Sequence, residues 1–303
     1  MTDFTVFQRE ISRLLPHIKF YFNEPMAKHT SFRIGGAVEV MAMPENADQL
    51  ADILKVSKLL DTKPAILGAG TNVLAPDEGM KGLVVCLKDA LDAISQVDET
   101  HIRVSAGVSM TKAAVFAANL GLSGLEFAHG IPGSVGGGVY MNAGAYGGEI
   151  KDVCVSVDVM TFDGVLHTYT SEEMGFSYRH SRLEDEPGIV VSAVFSLTEK
   201  PSEEIRAYMQ ELAAKRKASQ PLDKPSAGSA FKRPVGGYAA ALIDGAGLKG
   251  YQVGGAAISE KHAGFAVNLG GATAEDVKNL LAQVSDIVFE RSGIRLEPEV
   301  RIW

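Results

Sequence analysis

Apolar residues recur at helical spacing over residues 4–15, 47–60 and 110–119, and again from Ser202 to about Lys217. Asn46 stands where an N-cap is needed for the second of these. Ser202, followed by Glu203 and Glu204 and closed by Lys215 to Lys217, gives the fourth a charge order that suits a helix dipole. Thr273 opens a last helix that should stop near Gly293, a residue able to take the left-handed cap conformation. Short apolar or alternating runs predict strands at 38–43, 64–67, 82–87, 102–106, 153–160, 165–170 and 189–197. Asp163-Gly164, between two of them, is a hairpin signal. Alternation from 294 to 303 predicts a closing strand. The order of elements is α+β, with no repeat or low-complexity linker. One boundary near residue 200 divides the chain into 1–200 and 201–303.

Glycine changes this picture. The chain has 32 glycines in 303 residues, against a usual share of roughly 7%, and they cluster. The strand at 64–67 runs into Gly68-Ala69-Gly70-Thr71-Asn72-Val73, and the stretch 121–148 is too dense in glycine for a regular element. Asp89, about 20 residues beyond the first turn, invites a dinucleotide-fold reading. The third glycine of that fingerprint is Val73, however, and a plain tight turn explains the segment as well. The second cluster, Gly130-Ile131-Pro132-Gly133-Ser134-Val135-Gly136-Gly137-Gly138, continued by Asn142, Gly144, Tyr146 and Gly147, can bring backbone amides onto an anion. A bent, bulge-rich β region is the plainer alternative.

Composition then removes whole classes of function. At 46% hydrophobic and 22% charged residues the chain is an ordinary globular protein. A net charge of −8 argues against general nucleic-acid affinity, which depends on phosphate neutralisation. No apolar run approaches the ~20 residues that span a bilayer, and residues 1–7 lack a signal-type pattern. Cys86 and Cys154 offer neither metal spacing nor a disulfide framework. The expectation is a cytoplasmic protein with no metal, no nucleic-acid partner and no membrane insertion.

Three places carry candidate chemistry. Between 215 and 233 lie Lys215, Arg216, Lys217, Lys224, Lys232 and Arg233 against one acid, Asp223, so the segment is locally cationic in an anionic chain and can concentrate an anionic ligand. Ser229 sits inside it, in Gly228-Ser229-Ala230, which is not a nucleophile elbow. Tyr178-Arg179-His180-Ser181-Arg182 places two guanidinium groups within four residues, and guanidinium recognises carboxylates bidentately. In the closing segment Glu297 and Glu299 share one face, so periodicity cannot choose between them.

With these residues in view, six stretches resemble the UDP-N-acetylenolpyruvoylglucosamine reductase family: His29 to Gly36 (HTSFRIGG), Leu67 to Leu74 (LGAGTNVL), Gly130 to Gly148, Tyr178 to Arg182, Pro225 to Pro234 (PSAGSAFKRP) and Leu296 to Val300 (LEPEV) near the end. The resemblance runs from about Lys28 to Trp303, and the absence of a long insertion before the serine loop is similar to the shorter, type II branch. Ala230 departs from the larger apolar residue common in the family, and Arg233 from Asn. The resemblance implies the FAD-binding fold of the vanillyl-alcohol oxidase type, with residues 1–200 as FAD-binding region and 201–303 as a smaller α+β substrate-binding domain. It implies non-covalent FAD on Arg33, Gly68, Ala69, Gly70, Thr71, Asn72, Val73, Gly130, Ile131, Pro132, Gly133, Ser134, Gly136, Gly137, Asn142, Gly144 and Ala145. By the same resemblance NADPH donates hydride, UDP-N-acetylglucosamine enolpyruvate is the substrate, and UDP-N-acetylmuramate, a peptidoglycan precursor, is the product. Arg179 would face the substrate carboxylate, Ser229 would donate the proton, and Glu299 rather than Glu297 would assist. Tyr178, Lys224, Lys232 and Arg233 are the candidates for the rest of the substrate.

Two rival readings remain at this stage. One is an oxidase on the same fold, including a covalent-flavin type that would use a histidine such as His29 or His129. The other is a nucleotide-sugar-binding protein without catalysis, which would have no use for a hydride carrier.

Overall fold

The computed structural model describes residues 4–88 and 90–303, so Asp89 lies outside the described residues. Its residues group into two compact units that exchange chain along the sequence. Met1–Phe22, Glu39–Ala69 and Gly82–Ala214 form the first; Asn23–Val38, Gly70–Lys81 and Lys215–Trp303 form the second. A single cut near residue 200 therefore misses two early segments, which join the second unit through long-range pairing that local sequence cannot announce.

The first unit is built on an antiparallel five-stranded sheet in the order Leu166–Thr170, Cys154–Met160, Ile189–Ser196, His101–Ser105, Ile94–Gln96. Its hairpin turns at Asp163-Gly164, where Gly164 takes φ +77°. A four-stranded sheet follows the order Lys19–Pro25, Ala37–Met43, Met80–Cys86, Ala65–Leu67, the last two parallel. Helix Ala47–Leu59 buries Leu50, Ile53, Leu54 and Ser57, the spacing that one apolar helix face requires. The Asn46 side chain caps it by accepting from the Gln49 amide at 2.9 Å. One core, including Phe7, Ile11, Val85, Ile102, Val157 and Phe195, joins these layers.

The second unit has its own core and its own antiparallel sheet, ordered Ser226–Ser229, Phe265–Asn268, Ala256–Ile258, Gln252–Val253. Helix Ala274–Ser292 buries Val277, Leu280, Leu281, Val284 and Val288. A Thr273–Asp276 capping box starts it, and Gly293 at φ +69° ends it. Asp77 accepts the amides of Ala274 and Glu275 at 2.8 and 3.2 Å, satisfying two donors that a helix start leaves unpaired.

Two expectations fail locally. The closing strand is reduced to Arg301–Ile302, parallel to Val73–Leu74, with one isolated bridge from Pro298 to Phe231. Leu296 and Val300 are buried as the alternation required, but Ile302 is half exposed, and Pro298 has no amide to extend a ladder. In the second glycine cluster, Val135–Tyr140 is a short helix capped by Ser134. Three glycines tolerate helix there because packing decides: a Cβ on Gly136 would lie 2.8 Å from Ala106 Cβ, and one on Gly138 would lie 2.8 Å from Met110 Sδ.

Candidate active site

In the first unit the glycine segments converge. A Cβ on Gly68 would stand 2.7 Å from Ser134 Oγ, so the two loops touch only because Gly68 lacks one. Within the 130–138 loop, the amides of Ile131, Val135, Gly136 and Gly138 donate to Ala128, Val108, Ala106 and Ser134 carbonyls. Gly137 donates to Ser134 Oγ at 3.5 Å. These five amides are satisfied within the protein and give the loop a close-packed backbone surface. Pro132 and Gly137 are exposed, and Ile131 and Gly133 are half-buried.

The same unit holds the arginine. Ser177 and His180 bond each other's backbones at 3.1 and 3.2 Å, leaving Tyr178 and Arg179 as a two-residue tip. Arg179 adopts φ +55°, a conformation that costs a non-glycine residue energy and is concentrated at functional positions. Its guanidinium lies 5.0 Å from the Tyr178 ring centroid and donates to the Gly144 carbonyl at 3.2 Å. Asn142 explains why the tip is fixed. Buried, it donates to Glu149 Oε2 at 2.7 Å and to the Ser177 carbonyl at 2.9 Å, and accepts the Lys151 amide at 3.0 Å. Its side-chain amide is thus committed within the protein, behind the arginine turn. Ser181 Oγ, donating to the Tyr140 carbonyl at 2.7 Å, ties the far side of the turn to the glycine helix.

In the second unit the serine loop meets the closing segment. Ser226 pairs with Val267 and Ser229 with Phe265, so the serine strand carries one extra residue. That bulge contains Gly228 at φ +77°, a left-handed position of the kind a glycine bulge needs. The result turns Ser229 outward while Ala227 and Ala230 stay buried. Small Ala230 is fully buried, and its carbonyl accepts the Glu299 amide at 3.0 Å. Asn72 Nδ2 donates to the Glu299 carbonyl at 3.2 Å, and Val73 pairs with Arg301. Gly70 closes the group: its carbonyl accepts the Ser31 amide at 3.0 Å, and a Cβ on it would fall 1.9 Å from the His29 carbonyl oxygen. Ser31 Oγ donates to the Ser226 carbonyl at 2.6 Å. Arg33 projects as an exposed residue between buried Phe32 and Ile34 at φ +57°.

The two glutamates now differ. Glu297 is exposed and pairs with Lys232, whereas Glu299 is half-buried against the serine loop. Lys232 is therefore engaged with a carboxylate, which weakens its case as an anion ligand. Lys224 is exposed, and Arg233 stacks on Tyr238 at 4.8 Å. The structure thus joins Ser229, Glu299, Asn72 and Gly70 in one unit, and Gly68, Ser134, Gly144, Tyr178 and Arg179 in the other. Burial pushes the Cys154 thiol up to about 12, leaving no reactive thiolate there. Among the described residues no helix is long and apolar enough to cross a membrane.

His129 enters the sequence reading only as a residue that a covalent flavin could use, and the structure adds a separate observation there. Its Nδ1 is buried without a hydrogen-bond partner, directly before Gly130. Such an atom costs about 1–3 kcal/mol unless something bonds it. An orphaned ring nitrogen at the mouth of a glycine loop fits a bound heteroaromatic or polar cofactor.

Residues 38–170 match the FAD binding domain family. With these glycine loops, that match makes the class an FAD-dependent oxidoreductase on the α+β FAD-binding fold. Residues 220–303 match the C-terminal domain of UDP-N-acetylenolpyruvoylglucosamine reductase. Proteins named UDP-N-acetylenolpyruvoylglucosamine reductase are 47% identical in Agathobacter rectalis, with 98% of each chain covered. The one in Bacillus subtilis is 42% identical, with 97% of this chain and 95% of that one covered. A crystal structure of the reductase from Thermus caldophilus has 37% identity and a TM-score of 0.79, covering 95% of this chain and 99% of that one. The chain belongs to the UDP-N-acetylenolpyruvoylglucosamine reductase family.

Proposed function

We propose that the protein reduces the enolpyruvyl group of UDP-N-acetylglucosamine enolpyruvate to UDP-N-acetylmuramate, with NADPH as hydride donor, in cytoplasmic synthesis of a peptidoglycan precursor. The observation that carries the residue assignments is the Ala230–Glu299 backbone bond, which sets the serine loop beside one particular acid of the closing segment. Arg33, Gly68 to Val73, Gly130 to Ser134, Gly136, Gly137, Gly144 and Ala145 would hold FAD. Bound there, FAD supplies a two-electron carrier between NADPH and the alkene.

The protein's own part is to manage charge and a proton. Hydride addition at the vinyl terminus leaves negative charge at the ether-bearing carbon, C2, spread into the adjacent carboxylate. Arg179 would bind that carboxylate with its planar fork and stabilise the growing charge. Ser229 would deliver the proton to C2. A hydroxyl is a weak acid, but an enolate-like carbon is far more basic than water, so no matched low pKa is needed. Glu299 would orient this proton transfer, while Lys224 and Arg233 with Tyr178 would face the diphosphate and sugar.

Purified protein is expected to be yellow, with a flavin absorption spectrum, and acid precipitation should leave the flavin in the supernatant. Colourless protein that takes up no FAD would remove the proposal, and flavin retained in the pellet would favour the covalent oxidase reading.

A further inference from the structure

The direction of the Ser229 hydroxyl depends on a neighbouring glycine. Ser229 is the register partner of Phe265, and the next amide, that of Ala230, donates to the Gly264 carbonyl at 2.8 Å. Glycine is the residue least able to hold its own dihedrals, so Gly264 can fix the loop only if something else fixes Gly264. Its amide donates to His262 Nδ1 at 3.1 Å. The imidazole packs edge-on against Phe265, with centroids 5.1 Å apart and planes at 79°. A Cβ on Gly264 would come within 3.0 Å of the ring carbon Cε1.

His262 is itself held from behind. Ser259 Oγ accepts the amides of Lys261 and His262 at 3.2 and 3.3 Å, and the Phe265 amide donates to the His262 carbonyl at 3.1 Å. Burial, reinforced by nearby Lys249, lowers the imidazole pKa below its ordinary range. The neutral ring keeps a lone pair on Nδ1 to accept the Gly264 amide and carries its proton on Nε2.

We propose that His262 is a positioning residue for proton delivery: its Nδ1 fixes Gly264, the Gly264 carbonyl fixes the Ala230 amide, and the adjoining Ser229 hydroxyl is aimed by that chain of bonds. The inference rests on Ser229 being the proton donor, so its test must separate the two.

Three variants do so: His262→Leu, which fills similar space without an acceptor; His262→Asn, whose Oδ1 can replace Nδ1; and Ser229→Ala as reference. Flavin reduction by NADPH and reoxidation of reduced protein by the enolpyruvyl sugar nucleotide are followed separately by rapid mixing. His262→Leu should slow reoxidation about 10- to 100-fold, the size expected for a misaimed reacting group, with flavin content and reduction unchanged. His262→Asn should recover most of the rate. Amide hydrogen exchange should show Gly264 and Ala230 losing protection in His262→Leu and regaining it in His262→Asn. If His262→Leu proves insoluble, His262→Ala removes the acceptor without adding bulk. Wild-type reoxidation in the acceptor-less variant beside a slow Ser229→Ala overturns the inference and leaves the proton-donor reading standing. Equal slowing of both half-reactions, or no rescue by Asn, also overturns it, because His262 then only supports the fold. Wild-type reoxidation in Ser229→Ala itself overturns both.

Discussion

Ser229→Ala is expected to abolish substrate reduction while sparing everything that precedes it. Positioned proton transfer contributes typically 10²–10⁴-fold, so flavin reoxidation by the enolpyruvyl substrate should fall by about that factor. Reduction of the flavin by NADPH should be unchanged, because no proton at substrate C2 is involved. The variant is well suited to the question. The serine is exposed at the crest of its bulge; its register pairing with Phe265 is a backbone property that alanine keeps, and Ala227 and Ala230 carry the loop's packing. Loss of an exposed hydroxyl should cost no more than about 0.5 kcal/mol of stability. Rapid-mixing absorbance of the two half-reactions is the check. Equal loss in both halves would point to a structural lesion, and no loss in the second would refute the assigned role.

Arg179→Lys is the second large effect. The substitution keeps the charge and the Cβ, so the backbone cost of φ +55° is unchanged. What it removes is the planar fork, which gives bidentate contact to a carboxylate and stacks on the Tyr178 ring. Loss of one well-placed donor to developing charge costs about 2.7–4 kcal/mol, or roughly 10²–10³ in rate. Because the carboxylate carries charge in both ground and transition states, KM should rise while kcat falls. Flavin content should remain that of the parent, since the tip is held by Asn142 and the Ser177–His180 bonds. Steady-state kinetics beside a flavin spectrum distinguish these outcomes, and wild-type kcat/KM in the lysine variant would contradict the carboxylate role.

How far these residues were readable in advance depends on whether their partners are local. The helices begun by Asn46 and Thr273 and the hairpin at Asp163-Gly164 announce themselves through caps and turns, and they form where expected. The sheet of the second unit is nearly invisible by comparison. Its strands are two to four residues long. Ala256–Ile258 and Phe265–Asn268 are buried on both faces, so neither shows alternation. The serine bulge hides the remaining periodicity by shifting the register between Ser226 and Ser229.

Glycine density has a second cause besides close approach to a ligand. Gly136, Gly138, Gly144 and Gly148 each answer to a protein neighbour that a Cβ would strike. The choice between Glu297 and Glu299 could not come from a two-residue period. It comes from contacts: Lys232 holds the first, and the serine loop and Asn72 hold the backbone of the second. Asn72 and Glu299 are 227 positions apart, a pairing no local pattern encodes. His262 escaped notice for the same reason, since its importance lies in what Gly264 touches.

In the proposed reaction electrons must reach an alkene in a sugar nucleotide and a proton must follow them. The most direct measurement mixes the flavin-loaded protein with NADPH and UDP-N-acetylglucosamine enolpyruvate without oxygen, following NADPH absorbance and the product by mass. Beyond the single equivalent that reduces the bound flavin, NADPH should be consumed only when the sugar nucleotide is present, one molecule per molecule of lactyl ether formed. NADPH left untouched, or consumed with the enolpyruvyl group unchanged, would contradict it.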